Sequence, residues 1–366
     1  MTRRILQIIP SLDQAGAEKQ LVLLASGLPR DEFEVHVCAL TRGGPLADRL
    51  VRAGIPCTVI GKRWRVDPLA YAKLQRHVAR LRPDLVQTWM FAANAYGRAA
   101  ALACGVKRLV ACERCVDPWK SDLQLVVDRR LAQRTDRIVA NSPAVREFYV
   151  RHGLPAERFE VIANGVSEPA SSKRSREQLL EELGLPGDAR LVGLIGRLWS
   201  QKRIKDAIWA IDLLKVIRSD VHLLILGKGP QRDRLRRFRD QSRIQDKVHF
   251  LGHREDALDL LPHFDVLLST SGYEGQSNAI LEAMATGVPV VGTNIPGTRD
   301  LVLHEETGLL AERGALADIA KYVQRLLDDR DLATRLAAAG RERARSCFSV
   351  QGMVTRYVEL YRQLLG

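Results

Sequence analysis

Two carboxylates, Glu274 and Glu282, stand eight positions apart in the stretch Glu274-Gly275-Gln276-Ser277-Asn278-Ala279-Ile280-Leu281-Glu282-Ala283-Met284-Ala285. Small polar residues lead into helical apolar spacing, and Gly287 ends it before the strand-like run Val288-Pro289-Val290-Val291. A helix turns about 100° per residue, so one starting around Gln276 carries Glu282 on its ligand-facing stripe and leaves Glu274 in the preceding loop. The amides of Gly275, Gln276 and Ser277 would then lie at a helix N-terminus, where anions are favoured.

Upstream, the segment Gly193-Leu194-Ile195-Gly196-Arg197-Leu198-Trp199-Ser200-Gln201-Lys202 reads as a strand running into a loop. Arg197 and Lys202, five apart in that loop, can both face a diphosphate. If the diphosphate is a leaving group, the same cations stabilise the charge it gains in the transition state. Acids at two ends with cations and amides between them suit a ligand with hydroxyls at both ends and phosphate in the middle, such as a nucleotide sugar. Two further loops follow strands. Gly227-Lys228-Gly229-Pro230 is a tight turn without the third glycine of a dinucleotide fingerprint, and Gly252-His253-Arg254 is a wall suited to a nucleobase.

Alternating strand and helix patterns must position these loops. In the first half, strands are expected at 4–9, 34–40, 57–60, 84–89, 108–112, 137–141 and 159–162, with helices between them. In the second half they are expected at 191–195, 222–226, 248–251, 264–269, 289–292 and 308–311, with helices at 176–183, 205–217, 231–241, 256–261 and 278–286. The stretch 316–365 reads as helical with one break near Cys347-Phe348-Ser349. Repeated β-α units of this length imply parallel sheets covered by helices on both faces, which bind ligands outside the carboxyl ends of their strands. The expected fold is α/β, with two Rossmann-like doubly wound domains facing across a cleft. The first domain takes 1–166 plus a C-terminal helix at about 346–366, and the second takes 167–345. A polar linker opens at Ser167-Glu168-Pro169-Ala170-Ser171-Ser172-Lys173.

A chain of 366 residues, 46% hydrophobic and 27% charged, is that of an ordinary globular protein. No apolar run approaches the ~20 residues needed to span a bilayer. The N-terminal run Ile5-Leu6-Gln7-Ile8-Ile9 is strand-length and lacks a small-residue cleavage site, so a cytoplasmic location is expected. Cys112-Glu113-Arg114-Cys115 has the spacing of half a zinc site or a redox pair. With no second pair nearby, most of the six cysteines read as small core hydrophobes. The net charge of +13 is uneven: residues 1–170 hold 26 Lys+Arg against 17 Asp+Glu. That excess suits a phosphate-bearing acceptor, an anionic bilayer or nucleic acid, or is simply a basic surface. Lys62-Arg63-Trp64-Arg65 mixes cations with an aromatic, as a membrane-facing loop or a solvated basic loop does.

The second half resembles the retaining glycosyltransferases of family 4, which have the GT-B fold. The likeness rests on Gly196-Arg197 with Lys202, and on Glu274 and Glu282 continuing into Ala283-Met284-Ala285-Thr286-Gly287-Val288-Pro289-Val290-Val291. Ala15-Gly16-Ala17-Glu18 is similar to the family's Gly-Gly-Ala-Glu loop, and Ile162-Ala163-Asn164-Gly165-Val166 to its Pro-Asn-Gly segment. The resemblance implies that Arg197 and Lys202 hold a donor diphosphate, Glu274 the hydroxyls of the donor sugar, and Glu282 the ribose hydroxyls. Gly275, Gln276, Ser277 and Asn278 would line the donor, Arg254 would border the base, and Gly16 would let the first-domain loop approach the donor. Many members carry a His after the fifth strand. Here Cys112-Glu113-Arg114 stands there, leaving Glu113 and Arg114 as candidates for contact with acceptor or sugar.

The resemblance implies a donor that is a UDP-, GDP- or ADP-sugar, no metal and no other cofactor. It implies a hinge between the domains, with the last helix crossing back to the first. The expected reaction is transfer of a hexose-type sugar to a lipid-linked saccharide or polysaccharide, with peripheral contact to an anionic membrane. The alternatives are a nucleotide-sugar epimerase or hydrolase of the same fold, or a basic nucleic-acid-binding protein. The low aromatic content of 5% and the lack of a binding module argue against nucleic acid. Neither half has Gly-x-Gly-x-x-Gly after its first strand, which argues against a nicotinamide enzyme.

Overall fold

A computed structural model describes residues 2–169, 172 and 174–366. Ala170, Ser171 and Lys173 of the expected linker lie outside the described residues. The chain forms two units: Met1–Gly165 with Val350–Gly366, and Val166–Ser349.

The first unit holds a seven-stranded parallel sheet: β1 (Arg3–Ile9), β2 (Phe33–Ala39), β3 (Cys57–Val59), β4 (Leu85–Trp89), β5 (Arg108–Glu113), β6 (Arg137–Ala140) and β7 (Phe159–Val161), in the order β3-β2-β1-β4-β5-β6-β7. Ile5 stands opposite both Val35 and Leu85, so β1 is central. Alternation sends Ile5 and Ile9 to one face, against the helix Gly16–Gly27 and the last helix Val350–Leu365. Leu6 and Ile8 go to the other face, with Leu74 and Val78 of the helix Pro68–Leu81 and Ala93 and Ala100 of the helix Met90–Ala103. Burial on both faces is why these strands read as largely apolar runs, with Gln7, Gln87 and Thr88 as buried polar exceptions. The last helix is locked to the sheet by polar contacts. Tyr361 accepts from Gln7 Nε2 at 2.9 Å and donates to Gln87 Oε1 at 2.7 Å.

The second unit holds a six-stranded parallel sheet: β8 (Arg190–Ile195), β9 (Val221–Leu226), β10 (Val248–Gly252), β11 (Val266–Ser269), β12 (Val290–Thr293) and β13 (Leu309–Ala311), in the order β10-β9-β8-β11-β12-β13. The strand order reverses between β8 and β11. Two features differ from the sequence-based expectation. The C-terminal helical stretch breaks a second time, at Asp329, between helices Leu316–Asp328 and Arg330–Cys347. Asp329 leaves helical geometry and its carboxylate accepts from the Leu332 amide at 2.9 Å, which is N-cap chemistry. A short helix, Pro296–Arg299, also follows β12, begun by a proline at its first turn.

Behind the end of β5 the first unit buries an ion network. Arg98, 1% exposed, donates to Asp128 at 3.0 Å. Lys120 donates to Asp128 and to the Tyr149 hydroxyl, each at 2.8 Å, and Tyr149 donates to Asp117 at 2.8 Å. Glu113 joins through Asn94 Nδ2 at 2.8 Å and through Lys120, 3.7 Å away. The network thus sets two cations against three carboxylates. Burial pushes Glu113 up to about 7, against the pull of Lys120. Because this is above its ordinary 4.5, the folded protein holds a proton that the unfolded chain has already lost between those two values. Stability contributed by this group therefore falls as pH rises through that window. Glu113→Gln is expected to flatten the melting temperature profile between about pH 5 and 7 relative to wild type, as measured by calorimetry. Parallel profiles would remove Glu113 as the titrating group.

Candidate functional site

The crevice at a strand-order reversal is where open α/β sheets bind ligands. In the second unit the loops after β8 and β11 meet there, stitched by their backbones. Gly272 N–H donates to Gln201 O at 2.8 Å, and Thr270 Oγ1 donates to Lys202 O at 2.9 Å. Gln201 Nε2 donates to Tyr273 O at 2.9 Å. Arg203 holds a left-handed conformation (φ 45°) between the single turn Ser200–Lys202 and the helix Ile204–Leu214. For a non-glycine residue this costs about 1–2 kcal/mol. Its Nε bonds Asp206 at 2.7 Å, holding that turn.

This stitching places Lys202 in a hydrogen-bonded ion pair with Glu274. Ser271 Oγ donates to the same carboxylate oxygen at 2.7 Å, and Gln201 Nε2 lies 3.5 Å from the other. Glu274 is only 8% exposed, and these donors fix its direction. An ammonium has three donors, so Lys202 retains capacity for an incoming anion. Arg197 is exposed, lies 5.3 Å from the Trp199 ring, and makes no ion pair among the described residues. The two cations are thus in different states, one held on Glu274 and one open.

Glycine permits the close backbone approaches around these loops. Gly227 has φ 148°, and a Cβ there would collide with Gly196 O. A Cβ on Gly229 would lie 2.5 Å from Leu198 O. The Gly227-Lys228-Gly229 turn therefore acts as the seat of the Arg197 loop: the Leu198 amide donates to Lys228 O at 3.0 Å. Gly297 does the same for the Glu274 loop, since a Cβ there would lie 2.5 Å from Gly275 O and 2.7 Å from Glu274 O.

The helix Asn278–Thr286 begins as the spacing predicts, with Ser277 as N-cap, and closes at Gly287 in the left-handed conformation (φ 77°). Ser277 makes no side-chain cap bond, and the helix N-terminus carries partial positive charge beside Glu274. Gly275, Gln276 and Ser277 are buried, while Asn278 and Glu282 are half-buried. Arg254 is differently placed from a free wall residue. Its guanidinium bonds Asp256 twice, at 2.7 and 2.6 Å, and Glu182 at 2.7 Å. These bonds tie the loop after β10 to the helix Arg176–Leu183.

In the first unit, Gly16 is exposed and opens its helix after Ala15, which has no side-chain cap. One turn on, Gln20 clamps Gly165 by donating to its carbonyl and accepting from its amide, both at 2.8 Å. Glu113 and Arg114 take opposite directions. Glu113, 2% exposed, enters the ion network, whereas Arg114 lies 5.0 Å from the Trp89 ring and donates to Asn164 Oδ1. Cys112 is buried against the Tyr357 hydroxyl at 3.6 Å, and burial pushes its thiol up to about 12. Among the described residues no group of three His, Cys, Asp or Glu forms a metal cluster.

Ser271, Gln201, Gln20 and Gly297 were not singled out from sequence. Ser271 lies three residues before Glu274, and Gly297 follows a helix-opening proline. Those positions were the available signals. Gly297→Ala is expected to displace the backbone at 274–275 and to cost about 1–3 kcal/mol, read as a fall of several degrees in melting temperature. Gly187→Ala, where nothing lies within 4 Å, is the control and should leave it nearly unchanged. Equal melting of both variants would contradict the packing described.

Comparison with known proteins agrees with this architecture. The sequence profile of "Glycosyl transferases group 1" matches residues 175–343, and that of "Glycosyltransferase Family 4" matches residues 15–168. A lipopolysaccharide core biosynthesis glycosyltransferase of Rhizobium meliloti is 28% identical over 339 residues, covering 86% of this chain and 93% of that protein. N-acetyl-alpha-D-glucosaminyl L-malate synthase of Bacillus anthracis is 29% identical over 211 residues, covering 58% of this chain and 55% of that protein. The crystal structure of Anabaena HepE in complex with UDP-glucose superposes with a TM-score of 0.89 at 25% identity, covering 98% of this chain and 99% of that one. Both halves of the sequence and the two parallel sheets carry the likeness, and the chain belongs to the family 4, group 1 glycosyltransferases of the GT-B fold.

Proposed function

We propose that this glycosyltransferase moves a hexose-type sugar, with retention, from a nucleotide diphosphate to a lipid-linked saccharide or polysaccharide acceptor, without a metal ion. The observation that carries this reading is the contact between Lys202 and Glu274. In a nucleotide sugar the anomeric carbon is one oxygen away from phosphorus. The residue that holds the sugar hydroxyls and the residue that neutralises the phosphate must then be neighbours. Glu274 accepts from the sugar hydroxyls, and Lys202 and Arg197 take the diphosphate. The amides of Gly275 to Ser277 orient it, and Glu282 receives the ribose hydroxyls.

The chemistry follows from that arrangement. The bond between the anomeric carbon and the phosphate oxygen breaks, and its electron pair goes to the phosphate. Negative charge grows there, and fixed cations stabilise it without needing to reorganise. The acceptor hydroxyl attacks from the same face, and its proton passes to the departing phosphate, so no side chain is needed as base. Lys202 and Arg197 supply the positive charge that a divalent ion would otherwise provide.

The UDP-glucose bound to the Anabaena protein makes UDP the first nucleotide to test. The Rhizobium relative's part in lipopolysaccharide core biosynthesis supports a saccharide acceptor on a lipid. A peripheral membrane contact on the cytoplasmic side fits Trp64, 63% exposed among Lys62, Arg63 and Arg65. No helix among the described residues is long and apolar enough to cross a membrane.

Thermal shift against UDP-, GDP- and ADP-sugars is expected to single out one donor, with about 2.7 kcal/mol of stabilisation at a hundredfold excess over Kd. Absence of any shift, together with salt-sensitive DNA binding, would replace this reading with a nucleic-acid protein. Lys202→Ala is expected to lower kcat by about 10²-fold or more, and Arg197→Ala to weaken nucleotide affinity. Unchanged turnover in both would remove them from the site.

A further inference from the structure

Arg114 carries a buried charge that no carboxylate among the described residues neutralises. It is 9% exposed and makes no ion pair. Its Nη2 donates to Asn164 Oδ1, while Nε and Nη1 have no acceptor. An unpaired buried cation is costly, and each orphaned donor adds to the cost. The same unit handles its other buried guanidinium differently: Arg98 is paired with Asp128. Of the two buried arginines among the described residues of the first unit, Arg98 is compensated and Arg114 is not.

The surroundings hold Arg114 in place without neutralising it. The Trp89 ring beneath it is fully buried, and its indole N–H donates to Gln7 Oε1 at 2.7 Å, with Gln7 itself held by Tyr361. Asn141 Nδ2 donates to the Arg114 carbonyl at 3.0 Å, and its Oδ1 is left without a donor. These residues sit at the carboxyl ends of β4, β5 and β6, and Asn164 just beyond β7, the edge where α/β sheets take ligands. The rim thus offers a fixed cation, two unused donors and one unused acceptor. Such a set matches an oxyanion flanked by a hydroxyl.

We propose that Arg114 is the oxyanion-binding residue of the first unit, and that one substrate presents a carboxylate or phosphate to it in addition to the donor diphosphate. This rests on the glycosyltransferase reading above. The oxyanion has two sources, the carboxylate of a hexuronate donor or a phosphate on the acceptor.

The test uses the full chain as wild type, Arg114→Gln and Arg114→Lys, titrated calorimetrically with UDP, UDP-glucose, UDP-glucuronate, and inorganic phosphate with and without UDP. UDP and UDP-glucose are expected to bind all three proteins alike. Arg114→Gln is expected to lose at least tenfold affinity for UDP-glucuronate, which assigns the oxyanion to the donor, or for phosphate, which assigns it to the acceptor. Arg114→Lys should restore part of that loss. Without ligand, Arg114→Gln should melt at or above wild type, because an uncompensated charge has been removed. The proposal is overturned if neither oxyanion probe distinguishes wild type from Arg114→Gln, or if UDP affinity falls by the same factor. Failure of wild type to bind any nucleotide counts against the glycosyltransferase reading, while phosphate alone still reports on Arg114.

Discussion

The ion pair between Lys202 and Glu274 is the contact around which the second unit is arranged. The partners are 72 residues apart in sequence and meet because the strand order reverses between β8 and β11. The carboxylate of Glu274, 8% exposed, would be costly there without donors, since removing a charge from water costs several kcal/mol. Together, with Ser271 and Gln201 on the carboxylate, the two partners form a satisfied polar centre. The glycines at 227, 229 and 297 serve the same end, letting three neighbouring backbones come close enough to hold both loops in register.

The first unit solves the opposite problem. Its rim keeps polar groups unsatisfied at Arg114 and Asn141, while the interior behind it is densely cross-paired through Arg98, Lys120, Asp117, Asp128 and Glu113. Adjacent residues at the end of β5 divide these duties because a strand turns successive side chains to opposite faces. Glu113 supports the network, and Arg114 is left at the rim. Gln20 carries the arrangement further. By gripping Gly165 beside Asn164, it links the helix that opens at Gly16 to the segment under Arg114.

Much of this was legible in the sequence, for a physical reason. Strands buried on both faces leave largely apolar runs, so β8 and β9 could be read directly. Proline and glycine marked the bounds of the helices Pro68–Leu81 and Asn278–Thr286. The break at Asp329 was missed because a capping aspartate inside a charged helical stretch looks like one more solvated acid. Among the site residues, the cations and carboxylates stood out by type. Their partners did not, because pairing across β-α crossovers leaves no local trace. Arg254 shows this best: nothing near it in sequence announces that Glu182 will hold it. Gly227 and Gly229 were visible only as turn signals, since close approach is a property of the neighbouring backbone.

The central claim is that the Lys202–Glu274 pair marks where sugar meets phosphate. A crystal structure of the protein with UDP bound tests it most directly. The account predicts that Lys202 Nζ lies about 2.8 Å from a phosphate oxygen, with Glu274 still held by Ser271. A nucleotide seated away from the loops after β8 and β11, with no phosphate oxygen on Lys202, would contradict it.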